Sequence, residues 1–148
     1  MGVLWYDKEG KLIPGTELEV SDPRWIEAMG EVEKLLRDKE YKTVAQESTP
    51  KGGYWISTVW LGLDHDFNWG ITRGLQDETN PHPIIFETMV FDHRPAKQEE
   101  YEIAGRKHKS SPTILQLRYH TAAEARKGHA KAVKRFTDIE ALGRKDGA

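Results

Sequence analysis

An imidazole flanked by two carboxylates, at Asp64, His65 and Asp66, directly follows the most strand-like segment of the chain. A neutral imidazole beside carboxylates can bind a metal ion or serve as a general base. Glu87 and His120 belong to other predicted strands and add side chains that zinc or manganese accepts as ligands. One hypothesis is therefore a small metal-dependent hydrolase centred on Asp64, His65, Glu87 and His120.

The spacing of these residues does not support a metal site. The chain has no H-E-x-x-H motif, no H-x-H pair and no cysteine to supply thiolate ligands. It also has no P-loop, no G-x-G-x-x-G and no nucleophile elbow around a serine. An Asp-His pair after a strand is more commonly a turn with a side-chain cap. The sequence therefore predicts no metal, no cofactor and no catalytic residue, and it favours a binding protein over an enzyme.

Two other polar residues stand at positions where the surrounding pattern is apolar. Glu87 interrupts an apolar strand, so its carboxylate needs a partner such as Arg118 or a histidine. His129 lies on the apolar stripe of the predicted C-terminal helix. We expect His129 to be partly buried and bonded to a sheet carbonyl or to Glu87. Such a polar network serves either structure or ligand binding.

The elements that position these residues are those of an α+β fold. The patterns predict an antiparallel sheet of about four strands, an N-terminal hairpin, an N-terminal helix and a long C-terminal helix packed on one sheet face. The chain is predicted to be a single domain over residues 1–148. Its parts are the hairpin and first helix (1–40), the sheet (41–120) with loops 64–83 and 92–112, the C-terminal helix (121–142) and a frayed tail (143–148).

The starts of both helices carry clear local signals. Asp22 before Pro23 predicts the start of the first helix. Thr121 and Glu124 form a capping box that begins the second. Spacings of three and four residues then give this helix one apolar stripe, made of Ala122, Ala125, His129, Ala132, Phe136 and Ile139. Because most of these side chains are small, the helix can lie close against the sheet.

Alternation along the strands separates two sheet faces. The face under the C-terminal helix is predicted to carry Trp55, Val59, Leu61, Ile84, Phe86, Val90, Leu115, Leu117 and Tyr119. The opposite face, called here the outer face, is predicted to carry Thr58, Trp60, Glu87, Met89, Gln116, Arg118 and His120. The outer face is interpreted as a binding surface, unless the N-terminal helix covers it or it is a solvated face with a Glu87–Arg118 pair. The predicted binding residues are Trp60, Asp64, His65, Glu87, Met89, Arg118 and His120.

Composition excludes several classes of protein. The chain is 37% hydrophobic with five Trp, five Tyr and four Phe, which is enough for a core. No apolar run approaches the roughly 20 residues that span a bilayer, so no membrane partner is expected. The absence of cysteine favours a reducing compartment.

Charge is unevenly distributed along the chain. Residues 101–148 hold 11 Lys/Arg and 5 Asp/Glu, against 11 and 19 in residues 1–100. Such a division can steer partners or self-association, and it leaves a homodimer open. The basic C-terminal helix has no helix-turn-helix or RNP-like pattern, and the net charge of -2 disfavours nucleic acid as a partner.

Three sequence blocks resemble a family of small uncharacterised proteins encoded by tailed phages and prophages. The blocks are STVWLGLDH (57–65), PIIFETMVF (83–91) and RYHTAAEA..GH (118–129). The resemblance covers roughly residues 40–133, with the blocks in the same order. Residues 66–82 form a longer link between the first two blocks than the family pattern has. The resemblance brings no known activity and implies a viral accessory protein in the bacterial cytoplasm.

Three functional hypotheses follow. The leading one is a phage-encoded non-enzymatic protein that binds a host protein or small molecule, with interference in host defence as one such role. The second is the metal-dependent hydrolase described above, and the third is a virion or assembly component.

Overall fold

The computed structural model describes residues 4–66 and 80–143 of the chain. Two helices precede the first strand, α1 (Pro23–Arg37) and α2 (Lys39–Lys42). The strands that follow are β1 (Thr43–Ser48), β2 (Tyr54–Trp60), β3 (Phe86–Asp92), β4 (Glu99–Ile103), β5 (Arg106–Ser110) and β6 (Thr113–Tyr119). A short 3-10 turn (Pro95–Lys97) lies between β3 and β4, and the long helix α3 (Ala122–Ala141) follows β6. None of the helices in the described ranges combines the length and apolar character needed to cross a bilayer.

The main sheet is antiparallel throughout, with the strand order β1-β2-β3-β6. Helix α3 contacts all four of its strands. The predicted α+β fold, with a four-stranded antiparallel sheet and a long C-terminal helix, is therefore confirmed. The N-terminal hairpin is reduced to a bridge between Tyr6 and Leu12, while Trp5 forms a bridge with Leu63. The edges of the sheet are β1 and β6.

Part of the loop predicted for residues 92–112 is a second, two-stranded sheet. Strands β4 and β5 pair antiparallel, with Glu100 opposite Lys109 and Glu102 opposite Lys107. Ala104 and Gly105 connect them, and both have positive φ angles (52° and 78°), as a tight type I′ turn requires. Tyr101 and Ile103 are the only apolar residues of these two strands, and so short an alternation is not enough to predict a hairpin.

Helix α3 has the predicted start and the predicted buried stripe. The Thr121 hydroxyl accepts from the Glu124 amide (3.1 Å). The buried residues of the helix are Ala125, His129, Ala132 and Phe136. Because Ala125 and Ala132 have small side chains, the helix can lie close against the strands.

Two core clusters lie along the helix-facing side of the sheet. The cluster near the start of α3 joins Ala125 with Trp60 and Phe86 and includes Val32 of α1. The other cluster joins Ala132 and Phe136 with residues of β2 and β3. Helix α1 therefore packs Val32 at the helix-facing side of the sheet, and not over the outer face. Ile26 of α1 does not join this contact and is 64% exposed.

The predicted facing of β2 is wrong by one residue. Strand β2 turns Tyr54, Ile56, Thr58 and Trp60 toward α3, with all four buried. Trp55 and Val59, predicted to be in the core, lie on the outer face and are half-buried. The Trp60 indole, 1% exposed, donates to the Tyr6 carbonyl (3.0 Å), and this partner decides its side. Because β2 has bulky residues on both faces, alternation did not distinguish them.

The predicted facing of β3 and β6 is confirmed by the register. Phe86 pairs with Tyr119 and Val90 with Leu115, and these residues share the helix side. Before β3, Ile85 is fully buried while Ile84, predicted to be in the core, is half-buried.

Candidate functional site

Asp64, the first of the predicted binding residues in loop 64–83, is an anchor of that loop. Its Oδ1 accepts from the amides of Asp66 (2.8 Å) and Ile84 (2.9 Å), and its Oδ2 accepts from the Asn80 side chain (3.0 Å). One carboxylate therefore joins the chain before residue 67 to the chain after residue 79, and this use confirms the side-chain cap favoured for Asp64. The middle of the loop, residues 67–79, lies outside the described residues.

The two predicted histidines are held by backbone carbonyls. The Nδ1 of His65 donates to the Leu63 carbonyl (2.8 Å), and the Nδ1 of His120 donates to the His82 carbonyl (2.8 Å). The first contact holds His65 at the start of loop 64–83, and the second holds His120, which follows β6, against the end of the same loop. Among the described residues, no three His, Asp or Glu side chains converge as a metal site would require. The hydrolase centre drawn from Asp64, His65, Glu87 and His120 is therefore not assembled.

Glu87, Met89 and Arg118 do share the outer face, but Trp60 does not. Arg118 opposes Glu87 across the β3–β6 ladder and donates to its carboxylate (3.0 Å). Gln116 donates to the same oxygen (2.6 Å). Only 8% of the Glu87 side chain is exposed, so this carboxylate is already occupied by its neighbours. The outer face is thus centred on the cross-strand pair that the sequence indicated as its structural alternative.

A chain of four polar side chains crosses from the sheet to α3. The Thr88 hydroxyl lies 2.5 Å from that of Thr58, which lies 2.8 Å from Nδ1 of His129. The Nε2 of His129 lies 2.9 Å from Oε1 of Glu47. With a neutral imidazole, Nε2 donates to Glu47 and Nδ1 accepts from Thr58. A carboxylate, an imidazole and a hydroxyl in this order could activate a nucleophile.

Burial excludes that use for the polar chain as it stands. Thr58 and Thr88 are 0% exposed and His129 is 4% exposed, so a substrate has no access to the hydroxyls. The four hydrogen-bonded side chains instead satisfy one another's polar groups between the sheet and the helix. His129 is buried and satisfied as predicted, but its partners are Thr58 and Glu47 rather than a carbonyl or Glu87. Only the tertiary structure brings Glu47, from the edge strand β1, to His129 of α3, where its side chain stays 52% exposed.

Two carboxyl groups that are partly buried and have lowered pKa values, Asp92 and Glu140, also have structural partners. Burial raises the pKa of Asp92, but hydrogen bonds from the side chain and amide of Arg94 outweigh it and hold the pKa below its usual value. In Glu140 burial acts in the same direction, and bonds from Thr49, Lys51 and Gly53 again lower the pKa overall. Both carboxylates anchor loops rather than carry reactive protons.

An open groove lies between β6 and α3, and we call it the edge groove. Its floor is formed by Leu115, Leu117 and Tyr119 of β6, and its far wall includes Gly128 and Ala132 of α3. Its volume is about 380 Å³. Leu117 is 40% exposed there, although the register places it on the helix side of the sheet. The groove is therefore an apolar surface that the fold leaves open.

Gly128 and Tyr119 meet in the lining of the edge groove. A Cβ at this position would overlap the hydroxyl and ring of Tyr119. The absence of a side chain lets the tyrosine ring lie against the helix backbone. The Tyr119 hydroxyl is buried there and has no hydrogen-bond partner within ranges 4–66 and 80–143.

The rim of the edge groove is basic, and its strand has a free edge. Lys127, Lys131 and Arg135 line the helix side, with Glu124 as the single acid beside them. These three cations form no ion pair with the described residues, unlike Lys134, which pairs with Asp138 on the same helix (2.9 Å). Strand β6 pairs only with β3, so the amides and carbonyls of its other edge have no strand partner in the described chain.

Sequence reasoning did not find the edge groove. It placed Leu115, Leu117 and Tyr119 on the face under the C-terminal helix and gave the basic residues of that helix no binding role. The available signal was Gly128, since a glycine within a helical stripe often marks a close approach. Comparison with protein-family models, with curated proteins and with solved structures finds no match to this chain.

Proposed function

We propose that this chain is a non-enzymatic binding protein of phage origin that acts in the bacterial cytoplasm on a host protein. Its binding site is the edge groove, and its ligand is an extended, acidic segment of that protein. The observation that carries the proposal is that three features meet at β6: a strand edge without a partner strand in the described chain, an apolar groove floor and a basic rim. The resemblance to phage and prophage proteins supports the host setting, and interference with host defence is one role that such binding would serve.

Strand addition is the binding mode that this geometry favours. An extended segment can form main-chain hydrogen bonds with the free edge of β6, as peptides do in other domains that add a strand. Alternate side chains of the segment would then point toward Leu115 and Leu117. Burial of these apolar contacts supplies affinity, at about 25 cal/mol per Å² of apolar surface.

The basic rim gives the site its preference for an acidic partner. Lys127, Lys131 and Arg135 lie on one side of the bound strand, so acidic side chains facing α3 would find unpaired cations. Complementary charge of this kind raises the association rate and excludes basic segments. Binding is therefore expected to weaken as ionic strength rises.

The buried state of the polar chain supports a non-enzymatic role. The only hydroxyl beside an imidazole there belongs to Thr58, which has no exposure to solvent. The edge groove offers hydrogen-bonding edges and charge instead of a nucleophile.

Capture from a bacterial host lysate tests the proposal with two matched double variants of α3 and one variant of the outer face. Lys131→Glu/Arg135→Glu reverses the rim and is expected to lose the captured protein. Arg126→Glu/Lys134→Glu makes the same charge change on the same helix outside the groove lining, and it should retain the protein. Arg118→Gln, checked for folding by circular dichroism, tests the outer face. Equal capture by the two double variants would contradict the edge groove as the binding site. Loss of capture only in Arg118→Gln would assign binding to the outer face.

A further inference from the structure

The hairpin formed by β4 and β5, called here the arm, projects from the rest of the described chain. All ten residues of its strands are exposed. Among the helices and strands of the described chain, β4 and β5 make extensive contacts with each other and with no other element. Isolated two-stranded hairpins are marginally stable in water. Packing against another surface would therefore stabilise the arm.

One face of the arm is apolar enough to be a contact surface. Ile103 is 60% exposed and Tyr101 is 45% exposed. They lie on the same side of β4, two residues apart, and the Tyr101 ring stacks on His108 of β5 at 5.2 Å. Exposed apolar side chains beside an unpaired strand edge mark a site of association.

The two strands of the arm carry opposite charges. Strand β4 reads EEYEI and strand β5 reads RKHKS, so the free edge of β4 is acidic and that of β5 is basic. The edge groove is basic at its rim and apolar at its floor. Strand β4 therefore matches the groove in both charge and apolar content, whereas β5 would bring cations against Lys131 and Arg135. Pairing of β4 with β4 would oppose glutamates and is excluded on the same ground.

The arm cannot fill the groove of its own chain in this way. Only residues 111 and 112 separate β5 from β6. Folding the arm back across so short a connection would place β5, and not β4, along β6. The acidic strand can reach a groove only on another molecule.

We propose that a second copy of this chain occupies the edge groove with β4 of its arm, and that the exchange is reciprocal. Tyr101 and Ile103 of one copy lie over Leu115 and Leu117 of the other, and Glu99, on the same side of β4, faces the basic rim. Each arm gains a covered apolar face, and each β6 edge gains a strand. The inference uses the groove of the proposed function, but it does not depend on a host partner. A bound arm and a host segment would exclude each other.

Sedimentation of the purified full chain over a range of concentrations tests the exchange. The wild-type chain is expected to be a dimer that dissociates on dilution and at high salt. Tyr101→Ser/Ile103→Ser, which changes only exposed side chains, should weaken self-association by at least about tenfold. Its melting temperature should match that of the wild-type chain at dilutions where both are monomeric. Lys131→Glu/Arg135→Glu should weaken it comparably. A wild-type chain that stays monomeric at every concentration would overturn the inference.

Disulfide trapping locates the contact, because the natural chain has no cysteine. Ile103→Cys protein is mixed with Leu117→Cys protein, oxidised in air and analysed by mass spectrometry. Cross-links between arm and groove are expected to exceed those between Ile103→Cys and Ile26→Cys, whose side chain is exposed on α1. Equal yields would overturn the placement of the arm. The arm variant should still capture a host protein, so failure of the exchange and failure of the proposed function are distinguishable.

Discussion

At the residue scale, Glu140 of α3 holds the turn between β1 and β2. Its carboxylate accepts from the Thr49 hydroxyl (2.5 Å) and from the amides of Lys51 (2.7 Å) and Gly53 (2.8 Å). Burial raises the pKa of Glu140, but these hydrogen bonds outweigh it and leave the pKa below its ordinary value of 4.5. The ionised form is therefore part of the folded structure.

Replacing Glu140 should reduce stability in a pH-dependent way. Because the folded-state pKa lies below that of the unfolded chain, the stabilisation is fully present above the unfolded value and is lost as pH falls through the folded one. We expect Glu140→Gln to lower the free energy of unfolding by about 1–3 kcal/mol at pH 7. Urea unfolding between pH 7 and pH 3 should show the difference shrinking below the ordinary value of 4.5. Asp138→Asn, in an exposed pair on the same helix, is the control, and a loss independent of pH would contradict the role of the carboxylate.

Two buried hydroxyls should respond differently to deletion. Thr58→Val leaves Nδ1 of His129 and the Thr88 hydroxyl without their partner, and we expect a loss of about 1–3 kcal/mol. Tyr119→Phe removes a hydroxyl with no partner in the described ranges, so stability should stay within about 0.5 kcal/mol or rise. Denaturant unfolding of both variants measures the contrast. A Thr58→Val loss as small as that expected for Tyr119→Phe would show that the hydrogen bonds of Thr58 do not stabilise the contact between sheet and helix.

At the element scale, α3 owes its position on the sheet to the residues that let it approach. Ala125 and Ala132 are buried against the strands, and Gly128 receives the Tyr119 ring. A glycine within a helix normally weakens it by up to about 1 kcal/mol relative to alanine. At position 128 packing overrides that propensity.

The same substitution in the two long helices should therefore have opposite effects. Gly128→Ala places a Cβ on the Tyr119 ring, so we expect a loss of about 1–3 kcal/mol as the helix or the ring is displaced. Gly30→Ala in α1 has no neighbouring atom within 4 Å of the new Cβ and should gain about 0.5–1 kcal/mol. Thermal and denaturant unfolding compare the two variants. A gain in both would mean that Tyr119 does not lie against α3.

At the scale of the whole molecule, the uneven charge of the sequence acquires a spatial meaning. The basic excess of residues 101–148 includes the rim of the edge groove, whereas the acidic strand of the arm lies on a projecting hairpin. Opposite charges thus stand at two separate surfaces of the described chain. A molecule of this kind can associate with itself without a large net charge of either sign.

The sequence by itself determined the elements whose signals are local. The caps at Asp22 and Thr121, the stripe of α3 and the α+β class follow from neighbouring residues. It also determined the facing of β3 and β6, because Phe86 and Val90 alternate with Glu87 and the register follows from that contrast. The Glu87–Arg118 pair is a consequence of the same register.

The facing of β2, the arm and the edge groove are visible only in the tertiary structure. Strand β2 has apolar side chains on both faces, so its facing depended on Trp60 finding the Tyr6 carbonyl, which lies far away in sequence. The arm is formed by pairing between two strands rich in charged residues, and such a composition does not by itself distinguish a strand from a loop. The edge groove exists because β6 is the last strand of the sheet and α3 leaves its side chains partly uncovered. Strand order and helix position depend on contacts between distant residues, and no local pattern encodes them.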